Sequence, residues 1–183
     1  MQRANLVTGL RVVLTPVFVA ALCLRDRSGV GLLAVFVFAV IAASDVLDGH
    51  IARRWGTESG AGRTFDHVAD ICFLMAALST YAVLGTAPWW VPAAVGGSFG
   101  AYVLDSWLRN GEGGAGLIGS RIGHTAGVLN YALVGVLVCN NTAGIGLLSA
   151  GLLRDLFLLV PIYSALAVVA RLASRASSGM QHS

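Results

Sequence analysis

The sequence predicts an all-α integral membrane protein of six transmembrane helices with a short N-terminal interfacial helix. Three observations predict it. Hydrophobic residues make up 56% of the chain while charged ones make up 11%, far below the quarter that soluble domains carry. Mean hydropathy is +0.77. A length of 183 residues holds about six spans at roughly 20 apolar residues each, and little else. One helical domain over residues 1–183 is therefore expected.

Taken in order, Met1 to Arg11 alternates polar and apolar residues and reads as an interfacial helix entering the first span. That span runs from about Leu10 to Leu24 and ends at Arg25-Asp26-Arg27-Ser28-Gly29. Span two covers Val30 to Ile51 and carries Asp45, Asp48 and Gly49 in its last third. A polar loop from Arg53 to Gly62 leads to span three, Thr64 to Leu84, with Asp66 and Asp70 in its first two turns. Trp89-Trp90, a typical interfacial pair, opens span four, which ends near Leu108. The glycine-rich stretch Arg109 to Gly119 precedes span five, Ser120 to Cys139. Arg154-Asp155 is expected to break the last segment, leaving span six at Leu156 to Leu172 behind an interfacial helix.

All 12 basic residues are arginine, and they are dispersed along the chain. Nucleic acid is therefore not an expected partner. Arg3, Arg11, Arg53, Arg54, Arg63, Arg109, Arg121, Arg171 and Arg175 fall on one side of a six-span topology, against Arg25, Arg27 and Arg154 on the other. The positive-inside rule then puts both termini and the acidic cluster at the cytoplasmic face of a multi-pass plasma (inner) membrane protein. Cys23, Cys72 and Cys139 sit in apolar runs without metal or redox spacing. No cleavable signal peptide is expected, because no small-residue cleavage site follows the first apolar run.

Chemistry concentrates in Asp45 to Asp70, which reads D-x2-D-G-x2-A-R-x8-G-x3-D-x3-D. Carboxylates in or against apolar spans are costly to keep there without a purpose. Asp45 and Asp48 are three apart and Asp66 and Asp70 four apart, so each pair shares a helical face. Antiparallel neighbours joined by a short loop bring both pairs to one depth. Four mutually repelling acids then call for a divalent cation, and an oxygen-only set suits Mg2+ or Mn2+. His50 and His67 each stand about 100° around the helix from a neighbouring aspartate, which argues for supporting roles rather than ligation. Arg53 adds a planar fork suited to phosphate. A cation with open positions beside that fork implies a diphosphate ligand and displacement at phosphorus.

These residues resemble the signature of the CDP-alcohol phosphatidyltransferases, integral membrane enzymes of phospholipid synthesis. Every fixed position from Asp45 to Asp70 is matched, and Asn5-Leu6-Val7-Thr8 followed by Arg11 and Pro16 looks like the family's N-terminal stretch. The resemblance implies that Asp45, Asp48, Asp66 and Asp70 hold a pair of Mg2+ ions, with Mn2+ as substitute, and that Asp70 doubles as general base. It also implies that Asn5, Thr8, Gly49, Arg53 and Ser59 contact the CDP moiety. The implied reaction moves a phosphatidyl group from CDP-diacylglycerol to the hydroxyl of a small alcohol and releases CMP, in a homodimer. The expected acceptor is glycerol 3-phosphate or another polar alcohol, phosphorylated or not. Arg109 and Arg121 are candidate acceptor contacts, with His124 and Arg171 behind them, and Asp105 is expected to pair with Arg109, its i+4 neighbour. Phe65-Asp66-His67-Val68-Ala69-Asp70-Ile71 departs from the L-D-P-V-A-D-K pattern of glycerophosphate-type members. A divalent-cation carrier or a non-catalytic membrane scaffold are the alternatives. The apolar outer halves of spans two and three disfavour the first, and the intact motif disfavours the second.

Overall fold

The computed structural model describes residues 2–55, 60–110, 121–142 and 144–179. Within them, side chains are described except at 2–7, 45–55, 60, 61, 63, 109, 110, 121, 122 and 171–179. Six α-helices follow one another: α1 (Gln2–Cys23), α2 (Val30–Trp55), α3 (Gly60–Val83), α4 (Trp90–Asn110), α5 (Arg121–Leu137) and α6 (Ala150–Gly179). A π-turn, Val138–Thr142, extends α5. Two segments are long and apolar enough to cross a bilayer, Thr64–Val83 and Ala150–Ala170, and two shorter apolar ones are Thr8–Cys23 and Val30–Ser44.

Side-chain pairs define the helix directions. Thr8 and Arg11 of α1 meet Asp66 of α3, and further on Phe18 meets Phe73 at a ring separation of 5.3 Å. These helices therefore run parallel. Tyr131 meets Asp70 and Thr142 meets Tyr81, so α5 also runs parallel to α3. His67 lies by Tyr102 while Met75 lies by Gly96, so α4 runs the opposite way. The starts of α1, α3 and α5 thus share one end of the bundle with the close of α4. The short connection of residues 24–29 returns α2 toward that end.

Phe18, Phe38 and Phe73 form an aromatic layer in the core, with ring separations from 5.3 to 6.4 Å. Burying Phe18 and Phe73 fully and Phe38 in part is a large apolar contribution with specific edge and face packing. Gly135 on α5 makes room for it. A Cβ there would stand 3.0 Å from the Phe38 ring. At the far end of α3, Gly85 takes φ +72, which lets the Tyr81 carbonyl accept from the amides of Thr86 and Ala87 at 2.9 and 3.1 Å. That glycine-dependent cap ends the helix.

The outside also carries many large apolar side chains. Every helix exposes large hydrophobic side chains, among them Val13, Leu32, Phe36, Val68, Trp107, Val128 and Leu159. In water so many exposed apolar side chains would be an aggregation liability.

Two sequence expectations need correction. The N-terminal segment is not a separate interfacial helix: α1 is continuous from Gln2 to Cys23, and Arg11, taken for an interfacial charge, is completely buried. Nor does Arg154-Asp155 break the last segment, since α6 passes through it from Ala150 to Gly179. Asp155 is exposed and Arg154 sits within the first turns, where charges keep their hydration and leave the backbone ladder intact. The Asn140-Asn141-Thr142 triplet, which fits a glycosylation sequon, lies in the π-turn. There the Asn140 Oδ1 accepts from the Leu148 amide at 2.9 Å.

Candidate active site

The site grows from the spacing of two carboxylates on α3. Asp66 and Asp70 project from one face, and two neighbouring helices supply their partners. From α1, the Arg11 guanidinium donates through Nη1 to Asp66 Oδ1 at 3.0 Å and forms an ion pair with Asp70 Oδ1 as well. Thr8, one turn earlier, donates its hydroxyl to Asp66 Oδ1 at 3.3 Å. From α5, the Tyr131 hydroxyl donates to Asp70 Oδ1 at 2.8 Å. The carboxylates are half-buried, at 30% and 24% exposure, whereas Arg11 is at 0%. A buried guanidinium is tolerable only with its charge compensated, and here two carboxylates compensate it.

The aromatic layer fixes the depth of this cluster. Arg11 stands seven residues before Phe18, and Asp66 stands seven before Phe73. On α2, which returns toward the site, Asp45 stands seven residues beyond Phe38. At 1.5 Å per residue, each lies about 10 Å along its helix from the ring layer. The three positions therefore share one level at the same end of the bundle. Asp48, Gly49 and Arg53 follow on the same helix. Asn5 is on α1 about one turn before Thr8 and nearly two before Arg11.

Asp66, His67 and Asp70 each offer a donor atom, and these atoms lie within 4.8 Å of one another. Ligands on opposite sides of an octahedral Mg2+ stand about 4.2 Å apart at 2.0–2.1 Å per bond. The trio could hold a divalent cation. The sequence argument against His67 was incomplete, because it measured the angle from Asp66 alone. His67 is three residues from Asp70 and shares its face. All three residues fall within an arc of about 100° on α3. The His67 ring also lies 6.3 Å from that of Tyr102 on α4.

The remaining sequence candidates are distributed as follows. Ser59 lies outside the described residues, as do the side chains of Asn5, Asp45, Asp48, Arg53, Arg109, Arg121 and Arg171. By backbone position, Arg109 closes α4 and Arg121 opens α5, both at the acidic end of the bundle. His124 is exposed in the first turn of α5. Asp105 is buried on α4 at 2% exposure. Sequence reasoning missed Tyr131 altogether, and it treated Arg11 as a topology charge and part of an N-terminal pattern. The available signal for Tyr131 was Asn130-Tyr131, a polar interruption in an otherwise apolar run.

Over 94 residues the chain is 35% identical to a probable phosphatidylglycerophosphate synthase of Mycobacterium tuberculosis, in strains CDC 1551 and H37Rv, covering 50% of this chain and 45% of that protein. Over 78 residues it is 40% identical to a CDP-diacylglycerol--glycerol-3-phosphate 3-phosphatidyltransferase of Pseudomonas fluorescens, covering 43% of this chain and 40% of that protein. The matched segments thus span less than half the length of these relatives. A family model described as CDP-alcohol phosphatidyltransferase matches residues 1–173, nearly the whole chain and both helices that carry the signature. The chain belongs to the CDP-alcohol phosphatidyltransferase family.

Proposed function

We propose that the chain transfers a phosphatidyl group from CDP-diacylglycerol to the hydroxyl of glycerol 3-phosphate, releasing CMP. One observation carries this reading: Arg11, Thr8 and Tyr131, from two different helices, converge on the two α3 aspartates of the signature. They do so at one end of a bundle whose outer surface is apolar. The names of the relatives support glycerol 3-phosphate as acceptor. So do the backbone positions of Arg109 at the close of α4 and Arg121 at the start of α5, both at the same end of the bundle.

In this reading Asp70 accepts the proton of the acceptor hydroxyl as its oxygen bonds to the lipid-side phosphorus. The bond from that phosphorus to the bridging oxygen breaks, and CMP leaves with it. Arg11 holds Asp66 and Asp70 in register, and the Tyr131 hydroxyl sets the rotamer of Asp70. Arg53, with Asn5, Thr8, Gly49 and Ser59, holds the CDP moiety. Asp45, Asp48, Asp66 and Asp70 would hold Mg2+ or Mn2+, which supplies neutralisation of the charge developing on the diphosphate.

The same reading has six membrane-crossing helices, supported by exposed apolar side chains on all six. It puts the site at the cytoplasmic face of the plasma membrane, supported by the arginine distribution even with buried Arg11 set aside. A homodimer rests on the family resemblance. The test is CMP release by purified protein in detergent with Mg2+, CDP-diacylglycerol and one acceptor at a time: glycerol 3-phosphate, inositol 1-phosphate, inositol or serine. Release with glycerol 3-phosphate alone is expected. Release with a different acceptor overturns the acceptor, and none with any of the four overturns the activity.

A further inference from the structure

At the end of the bundle opposite the aspartates, hydrogen-bond donors outnumber their acceptors. Arg25 stands seven residues beyond Phe18 and Tyr81 eight beyond Phe73, so the two lie at one level past the ring layer. They are close enough for the Arg25 charge to act on the Tyr81 phenol. The Arg25 side chain is only 21% exposed, and its Nη1 is shut off from solvent with no hydrogen-bond partner among the described residues. Asp26 approaches through Nε at 3.9 Å, but its carboxylate is 97% exposed, and an exposed pair of this kind contributes little.

The Tyr81 and Thr142 hydroxyls are 2.8 Å apart. One donates to the other, so the pair keeps one hydroxyl hydrogen that neither oxygen uses. Among the described residues no further acceptor meets either hydroxyl. In the same π-turn, Asn140 Oδ1 already accepts from the Leu148 amide and Asn141 Oδ1 from the Asn140 side chain. A guanidinium that merely snorkelled to the interface would keep its nitrogens in water; here Nη1 does not. A largely buried charge costs desolvation that an apolar side chain would avoid, and what offsets that cost is an anion. The planar guanidinium fork matches phosphate, and basic pockets between membrane helices take lipid headgroups.

We infer that Arg25, with the neutral Tyr81–Thr142 hydroxyl pair, forms a phosphate-binding site at the end of the bundle opposite the signature aspartates, filled by the headgroup of a phospholipid. This rests on the reading of the bundle as membrane-crossing and is separate from the transfer reaction. The lipid is a bound partner of the far ends of α1 and α3 and of the π-turn, not a substrate.

The experiment uses the full chain in a maltoside detergent with EDTA, so that no divalent cation holds lipid at the aspartates. The probe is phosphatidylglycerol carrying a photoreactive diazirine in its headgroup, and labelled peptides are mapped by mass spectrometry. Label is expected within residues 23–29 or 138–149. Excess phosphatidylglycerol should remove it, and diacylglycerol, which lacks the phosphate, should not. Arg25→Gln should cut that label by about tenfold or more, the loss expected for one charge-assisted hydrogen bond, while CMP release stays unchanged. Unchanged label in a folded Arg25→Gln overturns the inference. So does label spread evenly over the unaltered chain, or removed equally by diacylglycerol, and these two readings stand even where the variant folds poorly. Inorganic phosphate competing as strongly as phosphatidylglycerol overturns the lipid as occupant and leaves a site for free phosphate. A chain that stays monodisperse without detergent overturns the membrane reading beneath the inference as well.

Discussion

The two ends of α3 are tied into the bundle by different physics. Its first turns hold Asp66 and Asp70, clasped by a fully buried guanidinium from α1 and a phenol from α5. Its last turns hold Tyr81, also fully buried, whose hydroxyl meets that of Thr142 at 2.8 Å beyond α5. Both ends join the same pair of helices at nearly the same separation. One join is ionic and the other neutral. An architecture needs only the second kind, since a neutral bond contributes roughly 0.5–1.5 kcal/mol without burying charge. Charge at the first end costs desolvation that hydrophobic residues of like volume would avoid. Its presence there supports placing the proposed chemistry at that end.

The sharpest way to break this contrast is to remove charge at the ionic end. Asp70→Asn keeps the shape and the Tyr131 neighbour but cannot take a proton. CMP release should fall by about 10²- to 10⁴-fold, the usual contribution of a general base. The helical circular dichroism spectrum should stay unaltered. Wild-type release would remove Asp70 from the reaction.

Arg11→Ala acts on the same cluster through stability. It leaves Asp66 and Asp70 facing one another without their guanidinium. Breaking such a buried pair by removing one partner costs about 3–5 kcal/mol. Thermal unfolding in detergent should shift down accordingly. Millimolar Mn2+ should recover more of the loss in Arg11→Ala than in an Arg11→Ala, Asp66→Asn double variant, because the cation replaces the missing positive charge on the same carboxylates. Equal recovery in both would mean that the cation binds elsewhere.

How much of this was legible follows the same division. The α3 aspartates were readable because an i, i+4 acidic pair in an apolar helix has no cheap structural purpose. Their partners were not. Arg11 lies 55 residues from Asp66, and on a chain with twelve arginines a buried one looks like a topology charge until packing places it. Tyr131 lies 61 residues from Asp70 and carries no motif. The nearness of His67 to Asp70 was not read from the sequence, because only its angle from Asp66 was weighed. The limits of α2 to α5 were legible to within about four residues, because apolar runs set their lengths, whereas α1 starts eight residues earlier than expected and α6 six residues earlier. The misplaced break at Arg154-Asp155 shows the limit of that reading, since a charge marks where a helix is wet and not where its backbone ladder stops.

The neutral end supplies the smallest effect and the control. Tyr81→Phe keeps the ring in its core position and deletes one oxygen, leaving Thr142 without that contact. The expected cost is about 1 kcal/mol, a shift of a few degrees for a chain of this size. CMP release and Mn2+ affinity should not change, because Tyr81 stands 11 residues beyond Asp70, about 16 Å along the helix. A loss of turnover comparable to that of Asp70→Asn would mean that the far end also serves the reaction. The division between an ionic working end and a neutral structural end would then fail.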